Sequence, residues 1–257
     1  MRNIRELTDA APLTARSVLA STLLGSDPPE LPVSYLVHVA SLFGINANRA
    51  RVALSRMVQA GEASTDGAGH YRLLGHLLER QRRQSASREG HTRRWRGDWH
   101  LVVVTTAGSS AEVRGERRRG FRRARLAELR DGVWCRPDNI DLALGDGVMR
   151  DAVTWLGRVG DKTVERGLTR DLFELDEWDA TARSLLAGLD ELSPRGPEQL
   201  AAGFVLSAAV LRHLQADPLL PAELLPSSWP GPHLRRSYDD WDGRYREVLS
   251  SWSSAPR

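Results

Sequence analysis

Between Ile45 and Gly61 the chain reads Ile-Asn-Ala-Asn-Arg-Ala-Arg-Val-Ala-Leu-Ser-Arg-Met-Val-Gln-Ala-Gly. Its polar side chains are guanidiniums, amides and a hydroxyl, the groups that bond phosphate oxygens and base edges in the major groove. A helical advance of about 100° per residue places Asn48, Arg49, Val52, Ser55, Arg56 and Gln59 on one face, with Arg51 at its border. Ala47, Ala50, Ala53, Leu54, Met57 and Val58 fall on the opposite face, small and oily enough to seat against a core. Such a helix is either the recognition helix of a winged helix-turn-helix or the solvated face of an arginine-rich protein. The helix by itself weighs the two evenly, and the flanking pieces decide for DNA.

Other chemistry-bearing residues are sparse. From Arg80 to Arg96 there are seven arginines and one acid, Glu89. That window reads either as phosphate contact, which adds salt-dependent affinity, or as a solvated linker. The histidines show no His-x-x-x-His spacing with a third partner, so no metal site is expected. Asp138 and Asp141 read as turn and cap residues rather than catalytic carboxylates. His213 and Asp217 stand one helical turn apart and read as a capped helix end before a ligand pair. No catalytic residue and no resident cofactor are expected.

The elements that must position these groups follow in order. Residues 1–12 read as a flexible arm. Leu13–Leu24 has helical spacing and stops at Gly25; Ser26–Glu30 is a turn-rich link. Val33–Phe43 is a second amphipathic helix. Gly44-Ile45-Asn46 is a tight turn, after which Asn46 or Asn48 can cap the third helix and Gly61 can end it. Three helices with a tight turn before the third fit a helix-turn-helix. Ala63–Thr65, Asp66–Gly69 and His70–Leu73 read as the strand, turn and strand of a wing, and Arg72 joins the expected DNA contacts.

Leu74–Gln84 reads as a helix. Trp99–Thr106 is rich in β-branched residues and reads as a buried strand. Ala111–Leu129 reads as a charged helix, Gly132–Pro137 as a second strand and Ala152–Val159 as a third. Thr169–Leu175 leads into a helix near Trp178–Leu189. This order fits a small ferredoxin-like sandwich. Ser193–Pro197 marks a boundary, Glu198–Gln215 a long apolar helix, and His233–Trp252 a final amphipathic one. Between them the proline-punctuated stretch Asp217–Gly231 carries enough Leu and Trp to pack down. The eight tryptophans read as core or domain-interface residues.

The expected fold is therefore α+β: an N-terminal winged helix-turn-helix (1–78), a basic linker (79–96), a central ferredoxin-like α+β sandwich (97–180) and a C-terminal helical domain (181–257). A chain of 257 residues has room for these. The single Cys135 excludes an internal disulfide and any multi-cysteine metal site. There is no apolar run of about 18 residues. The first residues carry acids where a signal peptide has its apolar core. A soluble cytoplasmic protein without a membrane partner is expected. Residues 1–125 hold 21 basic and 11 acidic residues, net +10, and residues 126–257 hold 15 and 22, net −7. A basic front half points to a polyanion as partner. All but Lys162 of the basic residues are arginine, a skew that a GC-rich genome produces, so placement counts for more than abundance.

Three stretches resemble one family, the phenylacetic-acid-degradation operon repressors, or PaaX-like transcriptional regulators. They are Arg51-Val-Ala-Leu-Ser-Arg-Met57; Trp95-Arg-Gly-Asp-Trp-His-Leu-Val-Val-Val104 with Gly132-Val-Trp-Cys-Arg-Pro-Asp-Asn-Ile140; and Asp217-Pro-Leu-Leu-Pro-Ala-Glu-Leu-Leu-Pro-Ser-Ser-Trp-Pro-Gly231. The resemblance implies a winged helix, a central domain similar to a CRISPR-associated endoribonuclease and a helical C-terminal domain. It also implies a homodimeric repressor of operator DNA that an aryl-CoA thioester, such as phenylacetyl-CoA, releases. Two positions depart from the family pattern: the wing carries no arginine before Arg72, and Glu62-Ala63 stand where a large aromatic and an aliphatic residue are usual. For a CoA thioester, Arg117, Arg118, Arg119, Arg122 and Arg123 offer phosphate-binding cations. The rival readings are a metal-dependent nuclease on the ferredoxin-like domain and a non-catalytic RNA-binding or scaffolding winged-helix protein. The nuclease reading lacks a carboxylate at Thr105-Thr106-Ala107-Gly108, where its metal would be held.

Overall fold

The structure is a computed structural model that describes residues 13–254 apart from 107, 143 and 150. The arm expected over residues 1–12 lies outside the described residues. The fold is α+β. In chain order the elements are α1 (Ala15–Leu24), β1 (Glu30–Pro32), α2 (Val33–Ser41), α3 (Ala47–Gln59), β2 (Ala63–Thr65), β3 (His70–Leu73) and α4 (Gly75–Glu89). There follow β4 (Trp99–Val104), α5 (Ala111–Arg123), β5 (Ala127–Arg130), β6 (Val133–Pro137), the single turn α6 (Asp146–Met149) and β7 (Ala152–Gly157). The chain closes with α7 (Lys162–Leu172), α8 (Leu175–Glu191), α9 (Leu200–Gln215) and α10 (Gly231–Ser254).

Backbone packing divides these into two compact units. One takes in the chain through Glu89, Thr181–Ala216 and everything from Pro230 on; the other takes in Gly90–Ala180 and Asp217–Trp229. The boundaries expected from sequence (1–78, 79–96, 97–180 and 181–257) cut the chain differently. The C-terminal helices belong with the N-terminal ones, and the proline-punctuated stretch belongs with the central strands.

In the first unit, helix starts are fixed locally. The Thr14 hydroxyl accepts the Ser17 N–H at the start of α1, and the Asn46 side chain accepts the Arg49 N–H at the start of α3. Gly44, at φ +67°, reverses the chain between α2 and α3 in a conformation costly to any side chain. Val18, Leu19, Leu23, Leu36, Ala40, Ile45, Ala50, Leu54, Met57, Leu73 and Leu77 form the core. The strands make an antiparallel sheet in the order β1-β3-β2. β1 corrects the reading of Ser26–Glu30 as only a link: Glu30 pairs with Arg72 and Pro32 with His70. Prolines masked it, but an edge strand tolerates proline because its open side needs no donor.

Helix α4 also corrects the sequence reading. It runs to Glu89 rather than stopping at Gln84, packs on α9 and buries Ser87. The supposed linker is thus half helix. Its serines are weak formers, but packing outweighs propensity.

In the second unit the sheet order is β5-β6-β4-β7, antiparallel throughout. One face is covered by α5: Val102, Phe121, Ala124, Leu126 and Trp134 pack together. On the other, Trp99, Leu101 and Cys135 meet Leu172, Phe173 and Leu224. The expected helix Ala111–Leu129 is cut at Arg123. Arg125 takes φ +59°, the chain turns, and Ala127–Arg130 becomes a strand. Nothing in the charged sequence signals that break, because neither Gly nor Pro stands there. The expected start near Thr169 is likewise late: α7 begins at Lys162, capped by Asp161, which accepts the N–H groups of Thr163 and Val164.

Candidate nucleic-acid interface

Helix α3 carries its polar groups on one open face. Asn48, Arg49, Arg51, Ser55 and Arg56 are all exposed, while Ala50, Leu54 and Met57 on the opposite face are buried. The periodicity is the cause: side chains at i, i+4 and i+7 share the stripe that α1 and α2 cover. Among the described residues, no carboxylate pairs with Arg49, Arg51 or Arg56. Three guanidiniums without an internal counter-ion thus share one helix surface. They offer forked donors that match phosphate and guanine edges.

Arg72, expected to join them, is placed otherwise. Its Nη2 lies 2.6 Å and its Nε 2.8 Å from Oε2 of Glu30 on the neighbouring strand. In the turn between β2 and β3, the Asp66 carboxylate accepts the N–H groups of Ala68 and His70, at 2.8 and 2.9 Å. Those bonds, led by that from His70, lower the Asp66 pKa. Asp66 therefore builds the turn between β2 and β3.

Glu62 also has a local task. It is buried, and its carboxylate accepts from Nε of Arg16 on α1 at 2.8 Å and from Nη2 of the same residue. His76 of α4 lies 3.8 Å away. The Arg16 hydrogen bond holds the carboxyl below the usual glutamate range. Glu62 thus ties the end of α3 to α1.

The basic window is partly consumed. Arg88 donates to Asp239 at 2.5 Å and to the buried Asp242 at 2.9 Å, and lies 5.0 Å from the centre of the Tyr238 ring. Arg93 donates to Asp138 and, at 2.6 Å, to Asp141. Asp138 and Asp141 thus serve as ion-pair partners, and Asp138 also meets His100 Nε2 at 2.8 Å. Of the α5 cations, Arg117 is buried against Asp151 and Arg118 pairs with Glu128 and Asp131, while Arg119, Arg122 and Arg123 are exposed. Among the described residues no cluster of His, Cys, Asp and Glu could hold a metal. No helix there is long and apolar enough to cross a membrane.

One constellation escaped the sequence reading. Arg136 on β6 is fully buried. It donates to Asn139 Oδ1 at 2.9 Å and to the carbonyls of Pro137, Arg125 and Leu219 at 3.1, 3.3 and 3.2 Å. Asn139 donates in turn to Leu219 O at 2.8 Å, and Asp217 Oδ1 accepts from Leu219 N at 2.9 Å. Burial lowers the Arg136 pKa to about 9. The only sequence signal was its place in a family-like stretch; a buried arginine held by carbonyls leaves no periodic trace. The tryptophan default holds for Trp99, Trp134, Trp178 and Trp241, but Trp155 on β7 is exposed.

Comparison with known proteins matches residues 14–77 to the family described as PaaX-like protein. Residues 173–253 match the PaaX-like protein C-terminal domain. No curated protein matches the chain. Among solved structures, the uncharacterized protein Rv0674 from Mycobacterium tuberculosis is 39% identical, covers 93% of this chain and 98% of its own, and superposes with a TM-score of 0.76. With both family regions matched in order and a relative running nearly end to end beside them, the protein belongs to the PaaX-like family.

Proposed function

We propose that the protein is a transcriptional repressor that binds operator DNA through α3 and is released by an aryl-CoA thioester, with phenylacetyl-CoA the first candidate. In this reading α1–α3 with β1–β3 act as a winged helix-turn-helix, and the four-stranded sheet is a ferredoxin-like sandwich. Its strand order β5-β6-β4-β7 and β-α-β-β-α-β connectivity support the second assignment. The observation that carries the proposal is the exposed face of α3, where Arg49, Arg51 and Arg56 lack internal partners beside Asn48 and Ser55. Membership of the PaaX-like family supports it.

The protein acts as a homodimer in the cytoplasm, where operator DNA is, and performs no catalysis. Its two copies of α3 enter successive major grooves at half-sites about one DNA turn, or a multiple, apart. The effector acts by mass action: it binds a form of the dimer with a different spacing more tightly and lowers DNA affinity by that differential affinity. Arg119, Arg122 and Arg123 remain candidates for its phosphates.

The test is a gel shift of the full chain on the DNA upstream of its own gene at moderate salt. Arg49→Ala with Arg56→Ala should lose about 2–4 kcal/mol, taking about 1–2 from each guanidinium; unchanged affinity ends the proposal. Phenylacetyl-CoA should release the shifted band where coenzyme A and phenylacetate do not. Cleavage of RNA or DNA in Mg²⁺ would instead favour the nuclease reading.

A further inference from the structure

The open face of α3 has an apolar centre. Val52 is 44% exposed, whereas Ala53 and Val58 of the same helix lean on the core and Ala50, Leu54 and Met57 are buried in it. With an advance of about 100° per residue, Arg49 and Arg56 lie about 60° and 40° to one side of Val52, and Ser55 and Asn48 about 60° and 40° to the other. All four are exposed. Val52 thus stands midway between two guanidiniums and two neutral hydrogen-bonding groups. The fold gains little from a valine there. Its branched side chain makes it a weaker helix former than alanine or arginine, and at this exposure it buries little surface. A lone apolar residue on a surface is ordinary. Val52 differs in being ringed by polar groups on a face whose Arg49, Arg51 and Arg56 have no carboxylate partner among the described residues.

Such a face fits a partner that is polyanionic outside and carries a small apolar group within. Duplex DNA is one. Its phosphates complement the unpaired guanidiniums, and its major groove presents, among donors and acceptors, one apolar group, the C5 methyl of thymine. We propose that Val52 packs on a thymine C5 methyl and makes that thymine a specificity determinant of the operator. The inference rests on the operator reading above and adds to it the identity of a base. The polar residues on both flanks bond phosphates or base edges and hold the valine against the groove floor. Water then leaves both apolar surfaces, and the gain follows the area buried. Uracil keeps the pairing and the O4 acceptor of thymine but has no methyl, so it offers Val52 nothing.

The test is a gel shift of the full chain on two duplexes of one sequence, the DNA upstream of its own gene made with thymine or with uracil throughout. The wild type should bind the thymine duplex about three- to tenfold more tightly. Val52→Ala keeps the helix and its cations. It should bind the thymine duplex more weakly by about that factor and the uracil duplex about as the wild type does, so that its preference vanishes. Its melting temperature should equal or exceed that of the wild type, because alanine favours the helix. A wild type that binds both duplexes equally overturns the inference and leaves the operator reading standing; Val52 then meets a sugar or no part of the DNA. A Val52→Ala variant that keeps the preference also overturns it, since the methyl then meets another side chain. A wild type that shifts neither duplex overturns the operator reading, and this inference with it.

Discussion

The guanidinium of Arg136 donates to the carbonyl of Leu219 at 3.2 Å, across 83 positions of sequence. Leu219 takes φ +49°, a left-handed conformation that a leucine rarely adopts. Asn139 and Asp217 hold the same residue through its carbonyl and its N–H. The family-like stretch after Asp217 is therefore fastened by polar bonds as well as by Leu224.

Replacing Arg136 by methionine tests that fastening. It takes a donor from the Arg125 carbonyl and one of two donors from each of the Leu219 and Pro137 carbonyls, which keep Asn139; a buried acceptor left unpaired costs about 1–3 kcal/mol. Removing a buried cation offsets part of this. The expected loss is about 2–4 kcal/mol in urea unfolding; a change below about 0.5 kcal/mol would show that the cage contributes no stability.

Arginines that look alike in sequence should separate by experiment. Arg49→Ala and Arg56→Ala should each reduce the slope of log affinity against log salt by about one and leave the melting temperature alone. Arg88→Ala should do the reverse. It leaves Asp242, whose side chain is 5% exposed, with Arg246 as its remaining ion-pair partner among the described residues, and should cost about 3 kcal/mol. A salt slope that follows Arg88 and ignores Arg49 would move the interface from α3 to α4.

The Glu62 carboxyl titrates below its ordinary value of 4.5 because Arg16 bonds it. A lowered folded-state pKa contributes stability above about pH 4.5, and that contribution is lost as pH falls through the folded value. Glu62→Gln should therefore be less stable at neutral pH by about 1–2 kcal/mol, and the gap to wild type should narrow below pH 4.5. Parallel curves of melting temperature against pH would rule out the pair as the cause.

Two glycines make a packing test. A Cβ at Gly203 on α9 would meet Tyr245 Cε2 at 2.6 Å. That ring stacks on Trp241 with centroids 5.1 Å apart, and its hydroxyl bonds Leu200 O at 3.0 Å, so it cannot swing aside. Gly203→Ala should cost about 1–3 kcal/mol. Gly243 on α10 has no atom within 4 Å of its would-be Cβ, and Gly243→Ala should stabilise by about 0.5–1 kcal/mol. Equal melting temperatures for the two variants would refute the close approach at Gly203.

Much of the fold was legible where its signals were local. The helices α1, α2 and α3 came from apolar spacing, and the cap at Asn46 from a side chain three positions from the N–H it bonds. β1, β5 and the end of α5 were not legible. Glu30–Pro32 becomes a strand only because β3 lies beside it, and α5 breaks at a left-handed Arg125 that no glycine announces. Ala127–Arg130 has charges on both sides of a leucine and finds its identity in pairing with β6.

The sequence by itself determined the two faces of α3, because a helix repeats over 3.6 residues and the choice of buried side needs nothing beyond its own pattern. It could not determine which cations keep their charge unpaired. Arg72 meets Glu30 from 42 positions away and Arg88 meets Asp242 from 154 positions away. Coulomb attraction acts through space and not along the chain, so only the tertiary structure decided that Arg49, Arg51 and Arg56 face outward without an internal counter-ion.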